Sequence, residues 1–274
     1  MITNDNKAFL ANYGNFNHID RLINNDTPLV RKSAALNPSL QPHHIEKLMN
    51  DPNIFVRASL SKNSNLRIHQ IDELMKDESS HIRRGVASNP NLQPHHIDML
   101  MKDEDKAVRQ ALAENPNLQP HHIDRLIDDE SSRVDPRISK HPNLQPHHIE
   151  KLADHIDPDV RLFLSVNPKL QLHHIDKLVN DKSYAVRWNI SRHPKLQPHH
   201  IDMLMNDDSV NVRKELANSR KLQSHHIDKL VADESIEVRW NISRHPKLQP
   251  HHIDKLLNDR DPDVREFITR MIKK

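Results

Sequence analysis

The sequence predicts an all-α fold, a solenoid of about ten two-helix repeats of 26 residues each. The first observation is a fixed period, because one isoleucine recurs every 26 residues with no insertion or deletion. The second is a pair of helix signals inside each period. A fixed period in this range is typical of arrays in which each repeat packs on its neighbours. The recurring isoleucines are Ile19, Ile45, Ile71, Ile97, Ile123, Ile149, Ile175, Ile201, Ile227 and Ile253.

Composition and charge restrict the class of protein. The chain has 274 residues and a net charge of +2, which does not require a nucleic-acid or membrane partner. It contains no cysteine, so disulfides, thiolate nucleophiles and cysteine-ligated clusters are excluded. The first residues lack the apolar run of a signal peptide, and no stretch is apolar enough to span a bilayer. We therefore expect a soluble cytoplasmic protein with no membrane partner.

The first helix of each repeat is predicted from the phrase Leu-Gln-Pro-His-His-Ile-Asp. In one repeat, Pro94 suits the first helical position, where its missing N–H has no cost. Ile97, Leu100 and Met101 follow at i, i+3 and i+4, the spacing of a helix with one apolar face. Asp98 stands near the positive N-terminus, where a negative charge is favourable. The phrase therefore predicts a short helix that is buried on one side.

The second helix of each repeat is predicted to begin at a column of capping residues. Val108 and Leu112 follow at i, i+4 and predict the buried face. Asn115, like Asn37, Asn89 and Asn167, precedes a proline. Asparagine tolerates the left-handed conformation that ends many helices, and proline stops the helix. The capping column is Thr27, Asn53, Ser79, Asp105, Ser131, Asp157, Ser183, Ser209, Ser235 and Asp261.

Three parts of the chain depart from the regular repeat. Residues 1–16 are predicted to form an N-terminal cap, and residues 261–274 a C-terminal cap helix, with the array at 17–260. The array is irregular near residues 132–140, where Asp135 replaces the arginine of other repeats and Pro136 follows it. A proline inside a helix removes a hydrogen bond and clashes with the preceding turn. One interpretation is that the helix restarts with Asp135 as its cap; in either case we predict a bent or loosened array here, although sequence drift alone also explains the change.

A family resemblance rests on two motifs. Asp-x-x-x-x-Val-Arg (Asp103 to Arg109), joined to Asn-Pro-Asn-Leu-x-Pro (Asn115 to Pro120), resembles the leucine-rich repeat variant family, a HEAT-like group. The resemblance covers about residues 17–270 and implies a right-handed superhelix of α-helices paired with short, often 3₁₀, helices. The described iron–sulfur member of that family uses a cysteine cluster. Since this chain has no cysteine, the resemblance implies no iron–sulfur cluster here.

Pairs of histidines, such as His95 and His96, raise the question of a metal site. Zinc requires three or four convergent ligands at about 2.0–2.3 Å. Adjacent helical residues point about 100° apart, and the equivalent residues of the next repeat lie about 10 Å away. We therefore predict no metal site and no cofactor, and structural or incidental roles for the pairs. The positive helix N-termini should also lower the proton affinity of these histidines.

Two charged columns run through the repeats, an acidic one after each isoleucine and a basic one in the second helix. We predict that they form a ladder of salt bridges and helix-end contacts that joins the repeats. The alternative is a phosphate-binding stripe of arginines, which the matched acids disfavour. The acidic column is Asp20, Glu46, Asp72, Asp98, Asp124, Glu150, Asp176, Asp202, Asp228 and Asp254. The basic column is Arg31, Arg57, Arg83, Arg109, Arg161, Arg187, Arg213, Arg239 and Arg265.

The C-terminal half contains the candidate binding site. The segment from Val186 to Lys195 recurs unchanged from Val238 to Lys247, which indicates a duplicated two-repeat block. Each copy has a tryptophan and an arginine at i, i+4, which can stack, and the variable tryptophan column predicts an exposed position. Exposed tryptophan beside arginine is typical of interface hot spots. Duplication of an ancestral block would by itself explain equally well why the two segments are identical. The predicted partner-binding residues are Trp188, Arg192, Lys195, Lys221, Trp240, Arg244 and Lys247.

These observations leave three competing functions. An extended surface without a catalytic set favours a non-enzymatic scaffold that binds a protein partner. The alternative is DNA or RNA binding along a basic stripe in the C-terminal half, whose steep salt dependence would reveal it. An enzyme such as a HEAT-like DNA glycosylase comes last, because two tryptophans and two tyrosines offer few aromatic walls for a cleft. The stripe comprises Arg192, Lys195, Arg220, Lys221, Arg244 and Lys247.

Overall fold

The computed structural model describes residues 16–129 and 135–273. Within these ranges the regular elements are helices and none is a strand, so the all-α solenoid prediction is confirmed. Apart from residue 16, the predicted N-terminal cap lies outside the described residues, as does Ser131 of the capping column. No described helix is both long enough and apolar enough to cross a membrane. The contacts divide the chain into unit 1, Met1–His148, and unit 2, Ile149–Lys274.

Unit 1 alternates first and second helices along the chain. A 3₁₀ helix, Leu112–Glu114, directly follows its last α-helical second helix. A second 3₁₀ helix, Pro136–Lys140, replaces the second helix of the irregular repeat. The α-helices are α1 (Phe16–Ile23), α2 (Pro28–Ala35), α3 (Pro42–Met49), α4 (Ile54–Leu60), α5 (Ile68–Leu74), α6 (Ser80–Ala87), α7 (Pro94–Leu100), α8 (Lys106–Ala111) and α9 (Pro120–Ile127).

Helix α10 (Pro146–Ala153) contains the boundary between the units. Unit 2 continues the alternation and ends in its longest helix, at the position of the predicted C-terminal cap. Its further helices are α11 (Pro158–Leu164), α12 (Leu172–Leu178), α13 (Tyr184–Ser191), α14 (Pro198–Leu204), α15 (Val210–Leu216), α16 (Ser224–Leu230), α17 (Ile236–Ile242), α18 (Pro250–Leu257) and α19 (Pro262–Ile272).

Most first helices begin with a cap that includes a histidine, and in many of them a proline occupies the first turn. In α7, Pro94 occupies the first turn as predicted, and the N-cap residue is Gln93. The backbone N–H of Gln93 donates to Nδ1 of His96 at 2.9 Å, which satisfies a donor that the helix leaves free. The same bond recurs at the start of α3, α9, α12, α14, α16 and α18. The second histidine of each pair is therefore part of the helix start.

The core is formed by the predicted apolar columns. Ile97, Leu100, Val108 and Leu112 are at most 2% exposed. Helices of six to eight residues, such as α8 and α9, are marginal in isolation, so packing against neighbouring repeats must stabilise them. Because the period is 26 residues, each repeat contributes one set of these buried apolar side chains to the core.

The second helices begin at the predicted capping column. Every described member of that column is the N-cap residue of its helix. Side-chain caps form where the residue is asparagine or aspartate, as at Asn53 and Asp105. In the irregular repeat, Asp135 caps the 3₁₀ helix, and its carboxylate accepts a hydrogen bond from the backbone N–H of Arg137 at 2.9 Å. The restart at Asp135 is therefore present, while the predicted bend remains a prediction.

The predicted left-handed helix ends at asparagine are wrong. No described residue has a positive φ, and Asn115 itself has φ −72°. Asn89 shows the actual role of this column, because its buried Nδ2 donates to the carbonyls of Ser61 and Asn63 at 2.8 and 3.0 Å. The asparagine thus satisfies carbonyl groups at the end of the preceding repeat's second helix, which keeps buried polar groups bonded.

Candidate binding surface

Where it is present, the arginine column joins one repeat to the next. Nε and Nη2 of Arg187 donate to the carboxylate of Asp207 at 2.6 and 2.8 Å, and Nη1 donates to the carbonyl of Asp181. The predicted ladder exists, but its predicted acid is wrong, because the partner lies 20 residues ahead in the loop before the next second helix. The same bidentate pair recurs as Arg31–Asp51, Arg83–Asp103, Arg161–Asp181, Arg213–Asp233 and Arg239–Asp259.

The acidic column contacts the histidine pairs instead. Oδ1 of Asp176 lies 2.6 Å from Nε2 of the buried His200 and 3.2 Å from Nε2 of the exposed His199. The two rings lie 3.9 Å apart. The expectation that neighbouring histidines diverge is therefore wrong. His200 turns back to the backbone N–H of Gln197, which places its ring beside that of His199.

This arrangement brings together groups that resemble a metal site. Groups of one acid and two histidines recur along the described residues, with their three ligand atoms within 4.8 Å of one another. In His96, however, Nδ1 already accepts the N–H of Gln93, so the proton of the neutral ring is on Nε2. A metal at Nε2 would require the ring to lose this last proton. That leaves the exposed histidine and the carboxylate, fewer than the three or four ligands that zinc requires.

Burial controls the charge state of the histidines inside these contacts. Burial lowers the pKa of His96 below its ordinary value, although the hydrogen bond to Asp72 opposes the shift. The pKa values of His122, His148, His174 and His226 are lowered for the same principal reason. For these five rings the direction of the shift is the predicted one, but its main cause is burial. For His122, His148 and His174 the Nε2 atom lies 3.0–3.5 Å from its carboxylate without hydrogen-bond alignment, so the contact there is one between a carboxylate and a neutral polar ring.

Within each unit, one face takes no part in these ladders. We call it the second-helix surface, the solvent-facing side chains of the second helices. Its residues differ from repeat to repeat, whereas the Leu-Gln-Pro-His-His-Ile-Asp phrase changes little. At one position of this surface the side chains are Lys32, Ala58, Arg84, Gln110, Pro136, Leu162, Trp188, Lys214, Trp240 and Glu266. The varied positions are therefore gathered on one face of each unit.

In unit 2 this surface contains an aromatic cluster and a cavity of about 490 Å³. The rings of Trp240 and Phe267 lie 5.0 Å apart, and the guanidinium of Arg244 lies 5.0 and 5.1 Å from their centroids. Arg192 lies 4.8 Å from the Trp188 centroid, so both predicted cation–π contacts are present. Both tryptophans are half-buried, whereas the variable column predicted an exposed position. The cavity is lined by Lys214, Ile236, Glu237, Trp240, Asn241, Asp263, Glu266, Phe267 and Arg270.

The three predicted lysines occupy a different place. Nζ of Lys195 donates to the carbonyls of Leu170 and Pro168 at 2.6 and 3.3 Å. Lys221 and Lys247 make the equivalent bonds to the preceding repeat. Asparagines make these bonds in unit 1, so the lysines replace them in a contact between repeats. Their predicted role in partner binding stays a prediction.

Sequence reasoning missed a basic groove on the second-helix surface of unit 1. Lys32 and Arg84 stand in the tryptophan column, and Lys62 stands in the column of Arg192. All three line a groove of about 370 Å³ together with Phe55 and His81. Comparing these columns for charge, and not only for aromatic residues, would have indicated the groove.

Comparisons with known proteins support the fold class. No protein-family model matches the chain, and no curated protein matches it significantly. Among solved structures, "a leucine-rich repeat variant with a novel repetitive protein structural motif" matches with a TM-score of 0.50 and 21% identity, over 78% of this chain and 82% of that chain. The chain is therefore a helical repeat solenoid with a fold like that of the leucine-rich repeat variant.

Two designed proteins are also among the solved structures that match the chain. A designed armadillo repeat protein in complex with the peptide (KR)4 has a TM-score of 0.14 and 14% identity, over 98% of this chain and 90% of that chain. A computationally designed armadillo repeat protein for modular peptide recognition has a TM-score of 0.11 and 14% identity, over 97% and 89% of the two chains. At these scores the similarity carries no argument about the binding properties of this chain.

Proposed function

We propose that the protein is a non-enzymatic scaffold that binds a protein partner on its second-helix surface. The observation that supports this most is the distribution of variation among the repeats. Side chains that join the repeats, such as Arg187 and His200, recur with little change. Side chains of the second-helix surface do not recur in this way, although they share the same backbone framework. Such a pattern is what a recognition surface on a repetitive support requires.

The partner would contact the aromatic clusters of unit 2. Trp188 with Arg192 and Trp240 with Arg244 each present an aromatic ring beside a guanidinium, the side-chain types that dominate interface energetics. Arg192 is further held by Glu215, whose carboxylate lies 3.1 Å from Nε. Because each arginine is held against a ring, little side-chain entropy is lost when a partner docks.

The charged and titratable groups support a role other than catalysis. His200 and Arg187 are committed to contacts between repeats, so they are not available as a base or an anion clamp. The nucleic-acid alternative loses its main support for the same kind of reason, because the three lysines of the stripe bond to backbone carbonyls. Binding of a protein partner is therefore the function that the surface supports best.

The test is capture of the partner from the native cell with purified protein as bait. The double variant Trp188→Ala with Trp240→Ala should lose capture, because interface tryptophans typically contribute ~2 kcal/mol or more. The matched control is Met99→Ala with Met203→Ala, which removes exposed apolar side chains from first helices. Equal capture by the tryptophan double variant would refute the proposed site. Loss of capture after nuclease treatment would favour the nucleic-acid alternative.

A further inference from the structure

The basic groove of unit 1 lies on the second-helix surface, across α2, α4, α6 and α8. Its volume is about 370 Å³. Its lining includes four cations, Lys32, Lys62, Arg84 and Arg137, against the single carboxylate of Glu114. Arg137 uses that carboxylate, at 2.7 Å, and also pairs with Asp135. The positive charge of the groove therefore comes from the other three cations.

These three cations make no direct ion pair within the described part of the chain, although the charge of Asp135, the ion-pair partner of Arg137, also acts on Arg84. Lys32, Lys62 and Arg84 are exposed, and none makes a side-chain hydrogen bond or ion pair with another described residue. The second-helix surface of unit 2 differs in this respect. There Lys214 pairs with Glu237 at 2.8 Å, and Arg270 pairs with Glu266. Unpaired cations in a concave site raise the local concentration of anionic ligands.

The groove also offers an apolar contact. Phe55 is 54% exposed, and its ring meets that of His81 edge to face at a centroid distance of 6.2 Å. Close approach of α6 to α4 fixes this wall, because a Cβ on Gly85 would lie 1.9 Å from Oγ of Ser61 and 2.6 Å from the carbonyl of Ala58. An exposed phenylalanine between cations suits a ligand that is both anionic and partly apolar.

We propose that this groove binds an acidic polypeptide segment of the partner, with carboxylates at Lys32, Lys62 and Arg84 and an apolar side chain on Phe55. The inference rests on the proposed function as a protein-binding scaffold. Exposed acids stand in the loops that lead into α2, α6 and α8, at Asp26, Glu78 and Glu104. A short acidic segment can be confined to the groove, whereas the continuous phosphates of a nucleic-acid strand that extended to those loops would be repelled by their acids.

The test is fluorescence polarisation with the full chain and a labelled peptide of glutamates around one central tryptophan. Binding should saturate and should weaken with added salt, because the contacts are exposed ion pairs. Arg84→Glu with Lys32→Glu should weaken the affinity by about tenfold or more, since hydrogen bonds to charged groups are lost and the sign is reversed. The matched control is Lys76→Glu, an exposed lysine in the turn after α5 that the groove lining does not include.

Two further measurements distinguish an acidic polypeptide from a nucleic acid as the ligand, and the groove from the binding surface of unit 2. A labelled single-stranded oligonucleotide that binds more tightly than the peptide, and that loses binding in the Arg84→Glu variant, would overturn the acidic-polypeptide occupant. Absence of saturable peptide binding, or equal weakening by Lys76→Glu, would overturn the groove itself. The variant Trp188→Ala with Trp240→Ala should bind the acidic peptide like the unmodified chain. Failure of the groove therefore leaves the partner-capture test of unit 2 unaffected, and failure of that test leaves this one unaffected.

Discussion

Nε2 of His96 lies 3.0 Å from Oδ1 of Asp72 in the preceding repeat, while Nδ1 of the same ring accepts the N–H that begins its own helix. The ring has no exposed surface. One neutral imidazole therefore accepts a hydrogen bond from the backbone N–H at the start of its helix and also joins two repeats. Protonation at Nδ1 would break the bond to the backbone, so the charge state of this ring is coupled to folding.

We predict that the protein loses stability on mild acidification. The folded pKa of His96 is lowered, so the unfolded chain, with a pKa of about 6.5, binds more protons as the pH falls. The stabilising contribution is complete above about pH 6.5 and is lost below it. Since His122, His148, His174 and His226 shift in the same direction, the losses add along the array. Thermal melting followed by circular dichroism from about pH 7.5 to about pH 5 should show a falling midpoint.

The chain provides its own control for this experiment. In α5 the equivalent residue is Gln70, whose Oε1 accepts the N–H of Arg67 at 2.9 Å. Replacing His96, His122, His148, His174 and His226 with glutamine should keep the helix starts and flatten the decline in melting temperature. A variant whose melting temperature still falls as steeply would assign the acid sensitivity to other groups, such as the carboxylates.

A second prediction concerns the buried ladder. The side chains of Arg239 and Asp259 are 5% and 4% exposed. Burial alone would raise the pKa of Asp259, but hydrogen bonds from Arg239 and a backbone N–H hold it below its ordinary value. Asp259→Asn should cost about 3 kcal/mol in the free energy of unfolding, because it leaves a buried cation without its charge partner.

The surface pair Arg270–Glu266, at 74% and 59% exposure, supplies the comparison. Glu266→Gln should cost less than about 1 kcal/mol, since solvent screens exposed pairs. Urea unfolding followed by circular dichroism measures both variants. Similar losses would mean that the buried pair stabilises the stack no more than a surface pair does.

A third prediction separates the two tryptophans. Trp240 packs on Phe267, whereas the described ring contact of Trp188 is with the guanidinium of Arg192. Trp240→Ala should therefore destabilise the chain more than Trp188→Ala, by about 1 kcal/mol, the typical energy of an aromatic pair. Thermal melting of the single variants tests this. If the Trp188 variant is the less stable one, its half-buried ring contributes more packing than the ring contacts indicate.

A fourth prediction concerns metals. Because Nδ1 of His96 is an acceptor, Zn²⁺ should not bind with the geometry of a structural site. Treatment with a chelator, or addition of Zn²⁺, should leave the melting temperature within about 1 °C of the untreated protein, whereas a tight site would raise it by mass action. Isothermal titration with Zn²⁺ gives an independent measurement, and tight binding at several sites would contradict the assigned tautomer.

The sequence predicts the repeat architecture well because periodicity and capping are local. The positions of Ile97 and Asp105 follow from spacing along single helices, and both are placed as predicted. The partner of Arg187 could not be predicted in this way, because Asp176 and Asp207 both lie within one 26-residue period of it along the sequence. Only the stacking of the helices brings Asp207 to the guanidinium. The convergence of His199 and His200 likewise depends on a side-chain rotamer that the helix start selects.

The candidate site was predicted only in part, for a related reason. The stacking of Trp240 and Arg244 follows from helix geometry, but Phe267 reaches the same cluster from the next repeat. Similarly, the charges of Lys195 and Lys221 suggested a free basic stripe, whereas backbone carbonyls one repeat away bind their amino groups. Whether a surface cation is available depends on such neighbours, which a single repeat does not reveal.

The hydrogen bonds and ion pairs that join neighbouring repeats have a consequence for how the chain folds. Arg83 bonds to a residue 20 positions ahead, and Asn89 to one 28 positions behind. Each such contact closes a loop of about one repeat, so its entropic cost is small and similar from repeat to repeat. Each repeat can thus be secured as soon as its successor emerges from the ribosome. We therefore expect folding to proceed from neighbour to neighbour, with the fast kinetics that are typical of local contacts.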